Sequence, residues 1–213
     1  ALSFRHFVLG TVAIFIYVGV EVGIPNFANL FMTSPEINID PTIAGSVVGT
    51  YWFLMMIGRL CGASIGAKVS SRAMLTVVST VGIALVLGAI FCADNILVNM
   101  PVFKSDISFG FAQVPVNVML LILCGLCTSV MWGGIFNLAV EGLGKYTAAA
   151  SGLFMVMVCG GGILPLIQGG VADFAGFLNS YWVIALGLAY ILFYAAIGSK
   201  NVNTDIPTDD YEA

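Results

Sequence analysis

Six long apolar stretches constrain this chain more than any other feature of its sequence. A helix rises 1.5 Å per residue, so about 20 apolar residues cross the hydrocarbon core of a bilayer. Hydrophobic residues make up 60% of the chain and charged residues only 8%, against roughly 45–50% and about 25% in soluble domains. The sequence therefore predicts an all-α integral membrane protein with transmembrane helices at residues 7–32, 42–67, 73–93, 114–140, 147–171 and 178–198.

The positions of lysine and arginine predict how these helices are oriented. Cytoplasmic loops carry an excess of both residues, and an even number of spans places the two termini on one side. Lys104 falls on the other side, whereas the side of the termini carries Arg5, Lys68, Arg72, Lys145 and Lys200. We therefore expect cytoplasmic termini. The acidic residues of 200–213 indicate a solvated tail: Asp205, Asp209, Asp210 and Glu212.

The first apolar stretch contains an acid beside helix-breaking residues. Glu21 lies between two glycines, and Pro25 and Asn26 follow one turn later. A carboxylate in the middle of a span costs about 2.5 to 3.5 kcal/mol on insertion scales, so it normally faces protein or a water-filled path. Glu21 is therefore the first candidate for a functional side chain.

Small residues recur at a contact spacing in the second span. Gly58, Gly62 and Gly66 are four residues apart and form a flat face on which another helix can approach closely. Arg59 lies beside this face. Its side chain either extends to the nearby membrane boundary or takes part in gating or substrate contact.

The fifth span contains three consecutive glycines at 160–162 and Pro165. Together they weaken the helix, and membranes tolerate such interruptions where neighbours or a cavity satisfy the freed backbone groups. This stretch is either a hinge that lines a cavity or a passive kink at a tight helix crossing.

The two halves of the chain resemble each other. Residues 21–27 align with 132–138, so that Gly23 matches Gly134 and Asn26 matches Asn137. The glycine-rich run 58–66 likewise corresponds to the region 160–170. Because each unit has three spans, the units cross the bilayer in opposite directions. The sequence thus predicts a 3+3 inverted repeat, which is a transporter architecture with sites near the bilayer midplane.

Several motifs together resemble the C-terminal half of sugar permeases. They are FIYVGVE at 15–21, IGR at 57–59, the run from Trp132 to Gly144, and GGGI at 160–163. The chain is similar along nearly its whole length to the fucose permease and glucose/galactose transporter branch of the major facilitator superfamily. The resemblance implies one six-helix half of a twelve-helix fold, in which the present spans are helices seven to twelve.

The resemblance also implies a function. It indicates a proton-coupled symporter of a monosaccharide such as fucose, glucose or galactose, which works by alternating access in a bacterial inner membrane. The joint 66–72 looks like a degraded gating loop of the superfamily, so Lys68 and Arg72, with Arg59, are candidates for a charge network. The expected partners of the chain are the lipid bilayer and either an N-terminal six-helix half or a second copy. In this branch the N-terminal half carries the carboxylates that couple transport to protons.

Sugar recognition requires directional hydrogen-bonding groups and a flat aromatic surface. Trp132 supplies a ring and an indole N–H, amides both donate and accept, and Glu21 accepts hydroxyl groups when ionised. Each candidate also has a packing or interhelix hydrogen-bonding interpretation, and Glu21 alternatively carries a proton. The predicted substrate-binding residues are Glu21, Trp132, Asn137, Asn26, Tyr17, Asn29 and Gln168.

Other functions lack the residues they require. An intramembrane serine protease needs a histidine base, but the single histidine is His6, at the edge of the first span. The sequence contains no Asn-Pro-Ala pair of a water channel, no phosphate-binding glycine loop and no metal-ligand cluster. We therefore predict neither an enzyme nor a cofactor, and no nucleic-acid partner. A membrane-embedded interaction or sensor module that does not transport remains the alternative.

Overall fold

The computed structural model describes residues 1–208 and contains six helical spans that are long and apolar enough to cross a membrane. The spans run Arg5–Thr33, Pro41–Gly66, Ser71–Phe91, Val116–Val140, Gly144–Ala175 and Phe177–Gly198. The prediction of a six-helix membrane protein is therefore confirmed. Asp209, Asp210 and Glu212 of the predicted tail lie outside the described residues.

Helix breaks divide two of the spans into shorter elements. The fourth span consists of α4 and α5, and the fifth of α6 and α7, while a short π-helical turn, Tyr194–Gly198, ends the sixth. The helices are α1 (Arg5–Thr33), α2 (Pro41–Gly66), α3 (Ser71–Phe91), α4 (Val116–Thr128), α5 (Met131–Val140), α6 (Thr147–Val156), α7 (Gly160–Ala175) and α8 (Phe177–Phe193).

Side-chain caps fix the start of two helices. The carboxylate of Asp40 accepts a hydrogen bond of 2.8 Å from the backbone N–H of Thr42, and Pro41 occupies the first position of α2. Ser70 caps α3 in the same way through the N–H of Ala73. Both contacts satisfy N–H groups that have no partner inside a helix. The bond from Thr42 also lowers the pKa of the Asp40 carboxyl group below its usual value.

The two interruptions have different local causes. In the fifth span a 3-10 turn at Met157–Cys159 directly precedes the three glycines. The α-helix is therefore interrupted about one turn before the position predicted from the sequence. In the fourth span, Thr128 and Ser129 turn their hydroxyl groups back onto carbonyls of the preceding turn. Such back-bonding competes with the helical pattern and bends helices. The sequence did not predict this second break.

Helix packing follows the predicted inverted repeat. The repeat relates the first, second and third spans to the fourth, fifth and sixth. The contact of the first span with the fifth therefore corresponds to that of the fourth with the second, and both are present. The contact of the first span with the sixth likewise corresponds to that of the fourth with the third, and both are present. The third and sixth spans pair with each other, as do the first and fourth. Exchange of the two three-helix units leaves these pairings unchanged, which supports the repeat.

Glycines lie where the equivalent helices approach most closely. A Cβ atom on Gly58 or Gly62 would collide with Ser129 or Val130 at the break of the fourth span. A Cβ atom on Gly160 would collide with the backbone of Phe15 in α1. The glycine-rich face predicted for the second span therefore contacts another helix, as small residues do in membrane bundles, and Gly160 of the fifth span lies at a tight crossing with α1.

The joint between the third and fourth spans is a β-hairpin, which the sequence did not predict. Strands β1 (Leu97–Phe103) and β2 (Phe109–Pro115) pair antiparallel, with Leu97 opposite Pro115 and Phe103 opposite Phe109. The predicted fourth span, 114–140, therefore begins two residues too early, since 114 and 115 belong to β2. We call this side of the bundle the hairpin end.

The other end of the bundle carries both chain termini. Here the N–H of Arg5 donates to Asn203 and the N–H of Lys145 donates to the carbonyl of Thr208. The residues after the sixth span thus fold back against the start of the first and the joint before the fifth. We call this side the basic end, since it carries Arg5, Lys68, Arg72, Lys145 and Lys200.

Candidate functional site

The candidate site is an open cavity of about 620 Å³ beside the break in the fourth span. Its walls come from the second half of α2, the start of α3 and the first turns of α5. The lining residues are Arg59, Gly62, Ala63, Gly66, Ser71, Met74, Ser129, Val130, Trp132, Gly133, Gly134 and Asn137. The cavity therefore combines a cation, an indole ring, an amide and two hydroxyl groups with small residues that leave room.

Glu21 and Arg59 form an ion pair across the first and second spans. The Nη2 atom of Arg59 lies 3.1 Å from Oε1 of Glu21 and 3.4 Å from the sulfur of Met55. The Arg59 side chain is 56% exposed and the Glu21 side chain only 15%. Arg59 therefore neither stands alone nor extends freely to the boundary: it covers the acid and presents its remaining donors to the cavity.

The backbone around Glu21 explains why Pro25 follows it by four residues. A proline has no N–H, so the carbonyl four residues before it loses its helical partner. That carbonyl belongs to Glu21, and the hydroxyl group of Tyr51 donates to it at 3.2 Å. Helix α1 consequently continues through Pro25, with a neighbouring helix supplying the missing donor.

A second tyrosine connects this point to the break in the fourth span. The hydroxyl group of Tyr17 donates to the carbonyl of Thr128, the last residue of α4, at 3.1 Å. The hydroxyl groups of Tyr51 and Thr128 lie 3.0 Å apart. Tyr17 and Tyr51 thus satisfy carbonyls at the irregular points of the first and fourth spans, and both side chains are fully buried.

Trp132 lies on the cavity wall with aromatic rings behind it. Its ring meets those of Tyr17 and Phe154 edge-on, with centroids 6.2 Å apart in each case, and Phe136 packs against Phe154 in turn. Edge-to-face pairs fix ring orientation. Tyr17, predicted as a possible sugar contact, is buried and packs edge-on against Trp132.

Asn137 lies at the basic end of the same cavity. Its amide nitrogen is 3.4 Å from the hydroxyl oxygen of Ser71, and its side chain is exposed. It also lines a neighbouring cavity of about 460 Å³ together with Arg72 and Glu141. Lys68 lies in the exposed joint between α2 and α3 and lines neither cavity.

Three predicted substrate contacts lie away from this cavity. Gln168 is fully buried, with its amide nitrogen 3.4 Å from the hydroxyl oxygen of Ser180 and its oxygen next to Gly23. Asn26 is exposed on α1, and the side-chain oxygen of Asn29 is buried without a partner among the described residues. The structure therefore gives Gln168 an interhelix position between the first, fifth and sixth spans, because its amide is enclosed where those helices meet.

Sequence reasoning missed several residues of the site. Ser71, Ser129 and Gly133 line the cavity, and Tyr51 holds the Glu21 carbonyl. A signal for Tyr51 was available, since Pro25 leaves the Glu21 carbonyl unpaired and a donor on another helix is then expected. Nothing in the local sequence pointed to the two serines, which are brought in by the approach of three helices.

A solved structure shares this fold. The crystal structure of a major facilitator superfamily transporter, FucP, in the outward conformation superposes with a TM-score of 0.77 and 23% sequence identity, over 92% of this chain and 43% of that chain. The chain thus has the fold of one six-helix half of a major facilitator transporter.

Sequence comparison identifies the particular relatives. The chain is 31% identical over 202 residues to a glucose/galactose transporter of Brucella abortus, covering 94% of this chain and 44% of the relative. It is 32% identical over 203 residues to a putative glucose/galactose transporter of Helicobacter pylori, covering 93% of this chain and 45% of that relative. The L-fucose-proton symporter of Escherichia coli is 23% identical over 197 residues, covering 92% and 40%.

These comparisons confirm the predicted resemblance to major facilitator sugar permeases. No protein-family profile matches the chain. The chain spans less than half the length of each of the three relatives.

Proposed function

We propose that this chain forms the C-terminal half of a sugar transporter that couples sugar entry to protons by alternating access. The observation that carries the proposal is the cavity in which Arg59, held by Glu21, faces Trp132 and Asn137. The half-transporter fold and the sugar-transporting relatives support it.

The side chains of the cavity suit an uncharged sugar. Trp132 offers a flat apolar surface to a sugar ring, and its N–H is a donor. Asn137 both donates and accepts, so it can pair with a hydroxyl group in either direction. Because Glu21 and Arg59 neutralise each other, the wall carries directional hydrogen-bonding groups without net charge.

The ion pair also suggests how the site responds to its substrate. Arg59 contacts Glu21 through a single nitrogen, which leaves other guanidinium donors for sugar hydroxyl groups. A sugar that accepts from Arg59 and donates to Glu21 would bridge the first and second spans. We assign Glu21 to sugar contact and place the proton-carrying groups in the other half of the protein.

The remaining predicted residues receive secondary roles. Tyr17 holds Trp132, whereas Gln168, Asn26 and Asn29 are proposed as helix-packing or accessory residues outside the sugar contact. Arg72, beside Glu141 on the neighbouring cavity, and Lys68 in the adjacent joint belong to the side that opens and closes towards the cytoplasm.

The proposal includes a partner and a location. An N-terminal six-helix half covers the open face of the cavity, or a second copy does so in its absence. The excess of basic residues at one end favours cytoplasmic termini in a bacterial inner membrane.

Labelling of intact cells tests this orientation. A maleimide that cannot cross membranes should label the cysteine of Asp106→Cys, at the hairpin end, from outside the cell.

Uptake by the full-length protein in proteoliposomes tests the function. Labelled glucose, galactose and fucose are offered with and without an inward proton gradient, and we expect the gradient to drive accumulation of one of them. Asn26→Ala serves as a control on the same helix outside the cavity. Sugar-dependent stabilisation without uptake would favour the sensor alternative, and a protein that neither binds nor transports these sugars would refute the proposal.

A further inference from the structure

The β-hairpin between the third and fourth spans has two unlike faces. Val98, Met100 and Val102 of β1 point with Ala112 and Val114 of β2 towards the helices, and most of these side chains are buried. The opposite face carries the alternate residues of both strands, since side chains alternate along a strand. One layer of this small sheet therefore packs on the protein, and the other is largely exposed, apart from the rings of Phe103 and Phe109 at its edge, which pack against Phe53 of α2.

The outward face is largely apolar although it is exposed, and its polar residues are the cross-strand pair Asn99 and Gln113. Phe109 is 68% exposed and Phe111 78%, and Leu97 and Pro101 lie on the same face. At the turn, Ile107 is 81% exposed with a φ of 62°, a backbone conformation that is unfavourable for a β-branched residue. A contiguous surface of large apolar side chains normally marks a contact with a partner or a membrane.

The hairpin lies beside a membrane span rather than beyond its end. The N–H of Phe103 donates to the hydroxyl oxygen of Thr50 at 2.9 Å, more than two turns inside α2. The ring of Phe103 stacks on Phe53 with centroids 4.6 Å apart. The outer part of α2 and the hairpin are therefore at the same depth relative to the bilayer.

The side of α2 that the hairpin occupies is turned away from the candidate site. Thr50 and Phe53 face the hairpin, whereas Arg59 and Gly62 face the first and fourth spans. At 3.6 residues per turn, Phe53 and Gly62 point in nearly opposite directions. The outward face of the hairpin thus continues the flank of the bundle and not the wall of the cavity.

Aromatic residues at the same end mark an interfacial level. Phe91, the last residue of α3, is 73% exposed and meets the ring of Trp182 near the start of α8, 5.8 Å away. Tryptophan and tyrosine concentrate where lipid headgroups meet hydrocarbon, so Trp182 marks that level. We propose that the hairpin is a membrane anchor, and that its outward face, with Phe109, Phe111 and Ile107, lies in the headgroup region of the outer leaflet.

Spin labels on the full-length protein test this proposal. The protein is reconstituted in vesicles of phosphatidylethanolamine and phosphatidylglycerol, and a nitroxide is attached to Phe111→Cys. Cys61, Cys92 and Cys159 are first replaced by serine, while Cys124 and Cys127 remain, since both are buried and inaccessible to the reagent. Phe109→Cys provides a second labelling position if the first variant does not fold.

Two reference positions define the possible environments. Val77→Cys, on the exposed side of α3, reports lipid, and Asp205→Cys, at the basic end, reports water. We expect the nitroxide at position 111 to collide with oxygen almost as often as the nitroxide at position 77. Its collision rate with a water-soluble nickel chelate should be severalfold below the collision rate of the nitroxide at position 205.

Two results would overturn the proposal. Nickel accessibility at 111 equal to that at 205 would place the hairpin in water. An immobilised label that neither oxygen nor nickel reaches would show that protein, such as the other half of the transporter, covers this face. Neither result depends on sugar transport, so the anchor and the proposed function fail separately.

Discussion

At the scale of residues, the molecule is organised by how it satisfies the polar groups around Glu21. Pro25 removes the helical partner of the Glu21 carbonyl, Tyr51 replaces that partner, and Arg59 pairs with the carboxylate. The sequence indicated Glu21 because a membrane-embedded acid is costly. It left the role of Arg59 open, since the pairing depends on how α2 approaches α1 and not on any local pattern.

The role of Tyr51 can be measured by removing its hydroxyl group. We expect Tyr51→Phe to destabilise the full-length protein in detergent by about 1–2 kcal/mol, because buried carbonyl and hydroxyl groups lose their partner. The measurement is thermal unfolding followed by circular dichroism.

A double-mutant cycle distinguishes this explanation from lost packing. In Pro25→Ala, residue 25 regains an N–H that can bond the Glu21 carbonyl. Tyr51→Phe should therefore cost less in the Pro25→Ala background, where the Glu21 carbonyl keeps a partner. Equal costs in both backgrounds would show that the Tyr51 bond to Glu21 does not compensate for the proline.

At the scale of elements, glycine positions and helix breaks decide which helices meet. The glycine spacing predicted a close contact for the second span and left a hinge or a tight crossing open for the fifth, and the structure places Gly58, Gly62 and Gly160 at close contacts. The break in the fourth span escaped prediction because Thr128 and Ser129 cause it by side-chain back-bonding, without proline. The hairpin escaped because its pairing forms only when the strands meet, and its prolines and polar residues resemble a loop.

Two neighbouring glycines of the fifth span form a matched test. Gly160→Ala should destabilise the protein by about 1–3 kcal/mol, since its methyl group would collide with the Phe15 backbone and overpack the contact. Gly162→Ala, which would meet no atom within 4 Å, should be neutral or stabilising by up to about 1 kcal/mol.

Thermal unfolding of both variants in detergent gives the comparison. If Gly160→Ala is tolerated as well as Gly162→Ala, the glycines serve a hinge rather than a tight crossing between the first and fifth spans.

At the scale of the whole molecule, the described residues have the fold of one half of a major facilitator transporter, and this fold is itself built of two similar three-helix units. The apolar segments and the faint repeat sufficed to predict six spans and two inverted units, because both depend on hydropathy and on the parity of the spans. The candidate site was only partly predictable: Arg59, Trp132 and Asn137 line one cavity and Glu21 pairs with Arg59, whereas Gln168 lies between helices. A polar residue in a span can line a cavity or form a hydrogen bond between helices, and only the packing of the helices distinguishes these two roles.

The central claim is that Trp132 and Arg59 on the cavity wall, with Glu21 paired to Arg59, contact sugar. The direct measurement is the affinity of the full-length protein for its sugar, by calorimetry, in Trp132→Ala, Glu21→Gln and the control Asn26→Ala. We predict that each of the first two weakens binding by about tenfold or more, equivalent to ~1.4 kcal/mol, while the control binds like the unmodified protein. Unchanged affinity in Trp132→Ala and Glu21→Gln, with both variants folded, would contradict the assignment of this cavity as the sugar site.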